Sequence, residues 1–219
     1  MKDIPVFTGE HGLASLILRE IPRSRCAHVV VHSALPGRMA ALLAECRRFC
    51  RLAGADTVLA SADEPLDLPH AYDLLELACA KADLPPSQAP VALRPVTAET
   101  AGDYLRLYNE LFRDVPGAAA CTEADLPRML AQERAFFALE RGEITGLGQY
   151  AASELRAIAV IPRRHGLGRR LALTLFARMP GGEITLQVSS ANAPALRLYE
   201  KLCFAPRRIL SRWYVLTEG

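Results

Sequence analysis

A mixed α/β fold in two parts, a smaller α/β domain followed by a larger one, is what the 219-residue sequence predicts. Three observations point there. The order strand, turn, helix, strand occurs over residues 27–60 and again over 155–189, so the two halves are expected to share an architecture. Between them ADLPPSQAPVALRPV, residues 82–96, concentrates Pro85, Pro86, Pro90 and Pro95 and interrupts every periodic pattern, which places a domain boundary near residue 88. With 51% of residues apolar and 23% charged, the chain has the composition of a globular protein that buries its own cores.

The elements follow in order. Ala27–His32 (AHVVVH) reads as a buried strand. Met39, Leu42, Leu43, Cys46, Phe49, Cys50 and Ala53 then recur at helical spacing, and Asp56–Ala60 is a second short strand. After the boundary, Tyr104–Phe112 and Leu126–Leu130 are helical pieces. Residues 136–140 and 143–150 form a hairpin around Arg141-Gly142. Leu155–Val160 is a strand, Gly168–Arg178 a helix, Glu183–Ser189 a strand and Ala193–Leu202 a helix, before closing strands around Ile209 and Trp213–Leu216.

Charge and composition narrow the function classes. A formal net charge of +2 does not demand a polyanionic partner, so any basic site is local and no nucleic acid is expected. No apolar run reaches the ~18 residues of a membrane span, and the opening MKDIPVFTGEHG lacks a signal-peptide core, so the expectation is a cytoplasmic chain without a membrane partner. The cysteines at 26, 46, 50, 79, 121 and 203 lack paired zinc spacings and are expected reduced, with no metal. Cys46 and Cys50 share a helical face, where core packing is the plainer reading.

The residues that invite chemistry are RRHGLG, 163–168, at a strand-to-helix junction. Gly166 and Gly168 permit conformations and close approaches that a side chain blocks. A helix starting there offers unpaired N–H groups to an anion, and Arg163, Arg164, His165 and Arg169 add charge-assisted donors. On this turn alone, phosphate binding and plain packing are both open. A dinucleotide fingerprint is disfavoured, because Leu171 stands where its third glycine belongs.

A second constellation, NAPALRLYEKLCF at 192–204, follows the next strand. Together the two resemble the GNAT superfamily of acyl-CoA-dependent N-acetyltransferases. The family's loop pattern Q/R-x-x-G-x-G/A is met by Arg163, Gly166 and Gly168. Its late-helix pattern N-x-x-A-x-x-L-Y-x-x-x-G-F is met by Asn192, Ala195, Leu198, Tyr199 and Phe204. The resemblance covers roughly residues 90–217, with two departures: the loop after Val160 is two residues short, and Cys203 replaces the glycine before the final Phe.

The resemblance implies a GNAT-like mixed central sheet flanked by helices, splayed between its fourth and fifth strands, with the pantetheine of acetyl-CoA wedged there. Ile158, Ala159 and Val160 would pair with its amides. The amides and side chains of Arg163, Arg164, His165, Gly166, Leu167, Gly168 and Arg169 would hold the pyrophosphate, and Asn192 would help to fix the cofactor. Tyr199 would give a proton to the departing thiolate, with a core aromatic as the competing reading. For the base, Glu154 is the candidate, acting through a water; an exposed strand-start carboxylate is the competing reading.

Residues 89–219 are thus expected to be an acetyl-CoA-dependent N-acetyltransferase domain acting on an amine of a small molecule or protein. Residues 1–88 are expected to be a degenerate GNAT-like or accessory α/β domain, a wall or lid over the acceptor site, or a purely stabilising one. A non-catalytic acyl-CoA-binding or sensing module is the alternative. A nucleic-acid patch of Arg163, Arg164, Arg169 and Arg170 is disfavoured by the mild charge. His11, His28, His32 and His70 are read as structural. The acceptor and the oligomeric state are left open.

Overall fold

The computed structural model describes residues 5–86, 89–161 and 166–217. Its contacts divide the chain into Met1–Leu74 with Ile209–Gly219, and Leu75–Arg208. The proline-rich stretch near residue 88 therefore falls inside the second unit, and the end of the chain returns to the first.

The first unit contains β1 (Val6–Gly9), β2 (Gly12–Ile17), the single turn α1 (Ile21–Ser24), β3 (Cys26–Ala34), α2 (Met39–Leu52), β4 (Thr57–Ser61) and the start of β5 (His70–Ala80). Its strand order is β1-β2-β3-β4, with the end of the last strand, β11 (Ala205–Val215), beside β4. β3 and β4 are parallel, joined through α2; the other pairs are antiparallel. Period-two burial of Ala27, Val29 and Val31 meets a helical stripe of Leu42, Leu43, Cys46 and Cys50. Phe49, expected on that stripe, lies at its margin, 43% exposed and tilted against Phe7. Burial pushes the Cys46 thiol up to about 12 and that of Cys50 to about 11, so both pack as protonated small hydrophobes.

His28 carries a pH dependence. Its half-buried ring meets Trp213 edge-on at 4.9 Å, with the Tyr72 hydroxyl 3.4 Å from Nε2. Loss of hydration lowers its pKa below the ordinary 6.5, against an opposing attraction from Glu20. As pH falls from above 6.5 through the lower folded value, the unfolded chain takes the proton first and stability is lost. Urea melts at pH 7.5 and 5.5 should show a larger drop in midpoint for the wild type than for His28→Gln. Equal drops would remove His28 from the pH dependence.

The second unit continues from β5 through β6 (Ala92–Pro95), α3 (Ala101–Leu111), α4 (Leu126–Gln132), β7 (Arg134–Glu140), β8 (Glu143–Ala151), β9 (Glu154–Val160), α5 (Leu167–Arg178), β10 (Glu183–Ser189) and α6 (Ala193–Glu200) into β11. Strand order is β5-β10-β9-β8-β7-β6, with β9 and β10 parallel and β6 to β9 joined antiparallel. The expected hairpin turn is present, with Arg141 and Gly142 at φ 51 and 85, the geometry that matches strand twist. This is a mixed sheet flanked by helices, as the sequence predicts.

Both faces of this sheet are covered, which is why β7 is buried without alternation. Phe136 and Ala138 join Leu171, Leu175 and Phe176 of α5, while Ala135 and Phe137 join Tyr104 of α3 and Met129 of α4. Gly148 lets α5 close on β8, since a Cβ there would sit 2.5 Å from Leu175 Cδ1. Among the described residues no helix is long and apolar enough to cross a membrane.

Candidate functional site

β9 and β10 start together and part. They pair at Glu154 with Thr185 and Leu155 with Leu186, reinforced by the Thr185 amide donating to Ser153 O at 3.0 Å. Beyond that, among the described residues, β9 is bonded on its β8 edge alone. The Ile161 amide donates to Thr145 O at 2.9 Å, and the register pairs Ala159 with Leu147 and Ala157 with Gln149. Antiparallel alternation therefore turns the N–H and C=O groups of Ile158 and Val160 toward the β10 side, where the parting leaves a gap. An amide-bearing chain finds strand-like partners there. The side chains of Ile158 and Val160 pack on the α5–α6 core, that of Ala159 on the opposite face.

The helix after β9 starts with no side-chain cap. Gly166, its N-cap, has φ 75, the left-handed region that favours glycine. The first intrahelical bond runs from Arg170 N to Gly166 O at 3.2 Å, so the amides of Leu167, Gly168 and Arg169 precede it, as an anion site requires. Gly168 is different: its φ is not positive, and among the described residues a Cβ would meet only Leu198 Cδ2, at 3.9 Å. The turn itself does not require a glycine at this position. The Leu167 side chain is buried, and Arg169 is exposed. Arg170 donates to Glu140 at 2.8 Å and to Ala89 O at 3.3 Å, which commits it elsewhere. Arg163, Arg164 and His165 lie outside the described residues.

Asn192 caps α6, its Oδ1 accepting from Ala195 N at 3.2 Å. That oxygen is committed to the helix; its amide nitrogen makes no hydrogen bond among the described residues. Two turns on, Tyr199 is 6% exposed and packs against Phe204 in the core that Ile158, Val160 and Leu198 border. Its hydroxyl has no hydrogen-bond partner among the described residues and is not among the fully enclosed unpartnered atoms. Burial drives its pKa well above the ordinary 10, so the phenol stays protonated. Cys203, where the family pattern has glycine, sits at φ 65, and Phe204 N reaches back to Tyr199 O at 3.0 Å. The helix exit thus needs the left-handed conformation, which cysteine adopts at some strain.

Glu154 lies at the paired end of β9. Its Oε1 accepts from Arg156 Nη1 at 2.9 Å and Gln187 Nε2 at 3.2 Å. On the α3–α4 face the structure adds a polar chain absent from the sequence reading: Tyr104 OH donates to Gln149 Oε1 at 2.9 Å, Gln149 Nε2 donates to Glu133 Oε2, and Arg128 donates to Glu133 Oε1. It borders a cavity of about 150 Å³ beside Met129 and Phe136. Among the described residues no three His, Cys, Asp or Glu side chains gather as metal ligands would.

Residues 104–204 match the model of the Acetyltransferase (GNAT) family. The chain carries a GNAT domain. That domain takes in the parted strands, the uncapped helix and Tyr199. A mycothiol acetyltransferase of Clavibacter michiganensis subsp. michiganensis is 30% identical over 158 residues, 63% of this chain and 52% of that protein, so the match spans about half the relative's length. A GCN5-related N-acetyltransferase from Kribbella flavida shares the fold at TM-score 0.62 and 16% identity, over 100% of this chain and 91% of its own. A functionally unknown conserved protein from Staphylococcus epidermidis does so at TM-score 0.62 and 12% identity, over 100% and 96%.

Proposed function

We propose that the second unit transfers the acetyl group of acetyl-CoA to a primary amine of a small molecule or protein. The observation that carries this reading is the parting of β9 from β10 directly before an uncapped helix start, which suits a ligand with an amide-bearing arm and a diphosphate. Ile158 and Val160 offer strand-edge groups to the arm, with Ala159 between them holding the strand to β8. The amides of 166–169, with Arg163, Arg164, His165 and Arg169, take the pyrophosphate. Acetyl-CoA supplies the activated acyl group.

The amine nitrogen bonds to the acyl carbon as the carbon–sulfur bond breaks, and Tyr199, kept protonated by burial, gives its proton to the leaving sulfur. Glu154 receives the amine's proton through a water. Its two existing hydrogen bonds also favour a second reading, an acyl-CoA-binding module without turnover. CoA release across a panel of amines separates the two.

Gly168→Val tests the binding reading. The 3.9 Å clearance at its Cβ position leaves room for the new side chain in the folded protein, while the ligand's approach is blocked. Calorimetry should show acetyl-CoA binding at least about tenfold weaker, the scale of one lost hydrogen bond to a charged group. Undiminished affinity in a folded variant would overturn the loop assignment.

A further inference from the structure

β4 is shorter than both of its neighbours. It ends at Ser61, paired to Val30 of β3. β3 runs on to Ala34, and β11, paired to β4 at Tyr214 with Ala60, extends past the end of β4 through residues 209–212. Where β4 stops, β3 and β11 flank an empty strand position, two strand spacings or roughly 9–10 Å across. A cavity of about 400 Å³ occupies this place, walled by Val30, Val31, Ile209 and Leu210, with Asp63 and Glu64 at its rim. All of it lies within the first unit.

Two observations mark it as a binding slot. Ser61 lines the cavity at 5% exposure, and its hydroxyl has no hydrogen-bond partner among the described residues. The hydroxyl is not among the fully enclosed unpartnered atoms, so a group entering the cavity can reach it. The rim carboxylates of Asp63 and Glu64 are exposed and make no ion pair among the described residues, whereas Arg212, the cation lining the cavity, already faces Asp73 at 4.0 Å. This rim repels a diphosphate and attracts an ammonium or guanidinium.

We propose that the slot binds an extended peptide segment with basic side chains, which adds as a strand between β3 and β11. Strand addition takes affinity from main-chain hydrogen bonds and selectivity from alternate side chains, and here the side chains on one face meet Asp63 and Glu64. The Ser61 hydroxyl bonds the segment's backbone. This inference stands apart from the acyl-transfer reading of the second unit.

The test is fluorescence anisotropy on the full chain with a terminally blocked, labelled octapeptide alternating valine and lysine. The expected result is saturable binding, lost when alternate peptide nitrogens are methylated and absent for a valine–glutamate octapeptide. Asp63→Asn with Glu64→Gln should weaken it roughly tenfold, about two surface ion pairs. Both residues are exposed, so an unchanged thermal midpoint is expected to verify folding. No binding of the lysine peptide, equal binding of the methylated or glutamate peptide, or displacement by coenzyme A would overturn the proposal.

Discussion

Replacing Tyr199 with phenylalanine is expected to lower kcat by roughly a hundredfold, the lower end of general-acid contributions, with acetyl-CoA affinity unchanged. The substitution removes one oxygen that bonds to nothing among the described residues and keeps the ring against Phe204. Stability should therefore hold, and a fall in rate reports chemistry. The hydroxyl's pKa, raised by burial, lies above the assay range, so the wild-type rate should show no loss of the acid form between neutral pH and 10. Water able to reach the leaving sulfur would substitute in part, which keeps the loss at the lower end. Pre-steady-state CoA release separates the chemical step from product release. An unchanged rate of that step would return Tyr199 to the core as a packing residue.

The parts of the fold and site that were legible share a property: their cause is local. Gly166 needs its left-handed φ whatever surrounds it, and α6 begins at Ala193, where its own periodic residues place it. Arg141-Gly142 closes a hairpin within its own four residues. β5 was illegible because HAYDLLELACA carries no strand alternation; its place beside β10 makes it a strand. The prolines at 85–95 mark turns, whereas compactness depends on contacts between distant segments. Glu133 looks like a surface carboxylate until Gln149, sixteen residues on, is folded over it. Glu154 reads as a strand-start base, and its occupation by Gln187 is visible only once β10 lies alongside. The gap beyond Leu155 follows from where pairing stops, which no composition encodes.

A fragment covering residues 75–208 is expected to fold and to bind one acetyl-CoA, while one beginning at residue 88 should lose its cooperative unfolding. The difference is β5. Leu77 and Cys79 are 3% and 5% exposed in the core beneath α5 and α6, and Cys79 Sγ reaches Leu202 O at 3.5 Å. Just after the strand, the Lys81 amide donates to Gly182 O at 2.8 Å, and its Nζ donates to Met179 O. Starting at 88 removes both buried side chains and exposes the edge of β10, the strand that borders the acyl-CoA gap. Loss of Leu77 alone costs about 2–5 kcal/mol, against a total stability of about 5–15 kcal/mol for a domain. The shorter fragment should then melt broadly and bind acetyl-CoA weakly. The first unit's helix α2 also starts without a side-chain cap, but its turn, SALPGR, offers one arginine where RRHGLG and Arg169 offer three with a histidine. Calorimetry on the full chain should therefore give one acetyl-CoA per chain. Equal melting of the two fragments would show β5 to be dispensable, and two equivalent sites in the full chain would assign a working cofactor site to the first unit.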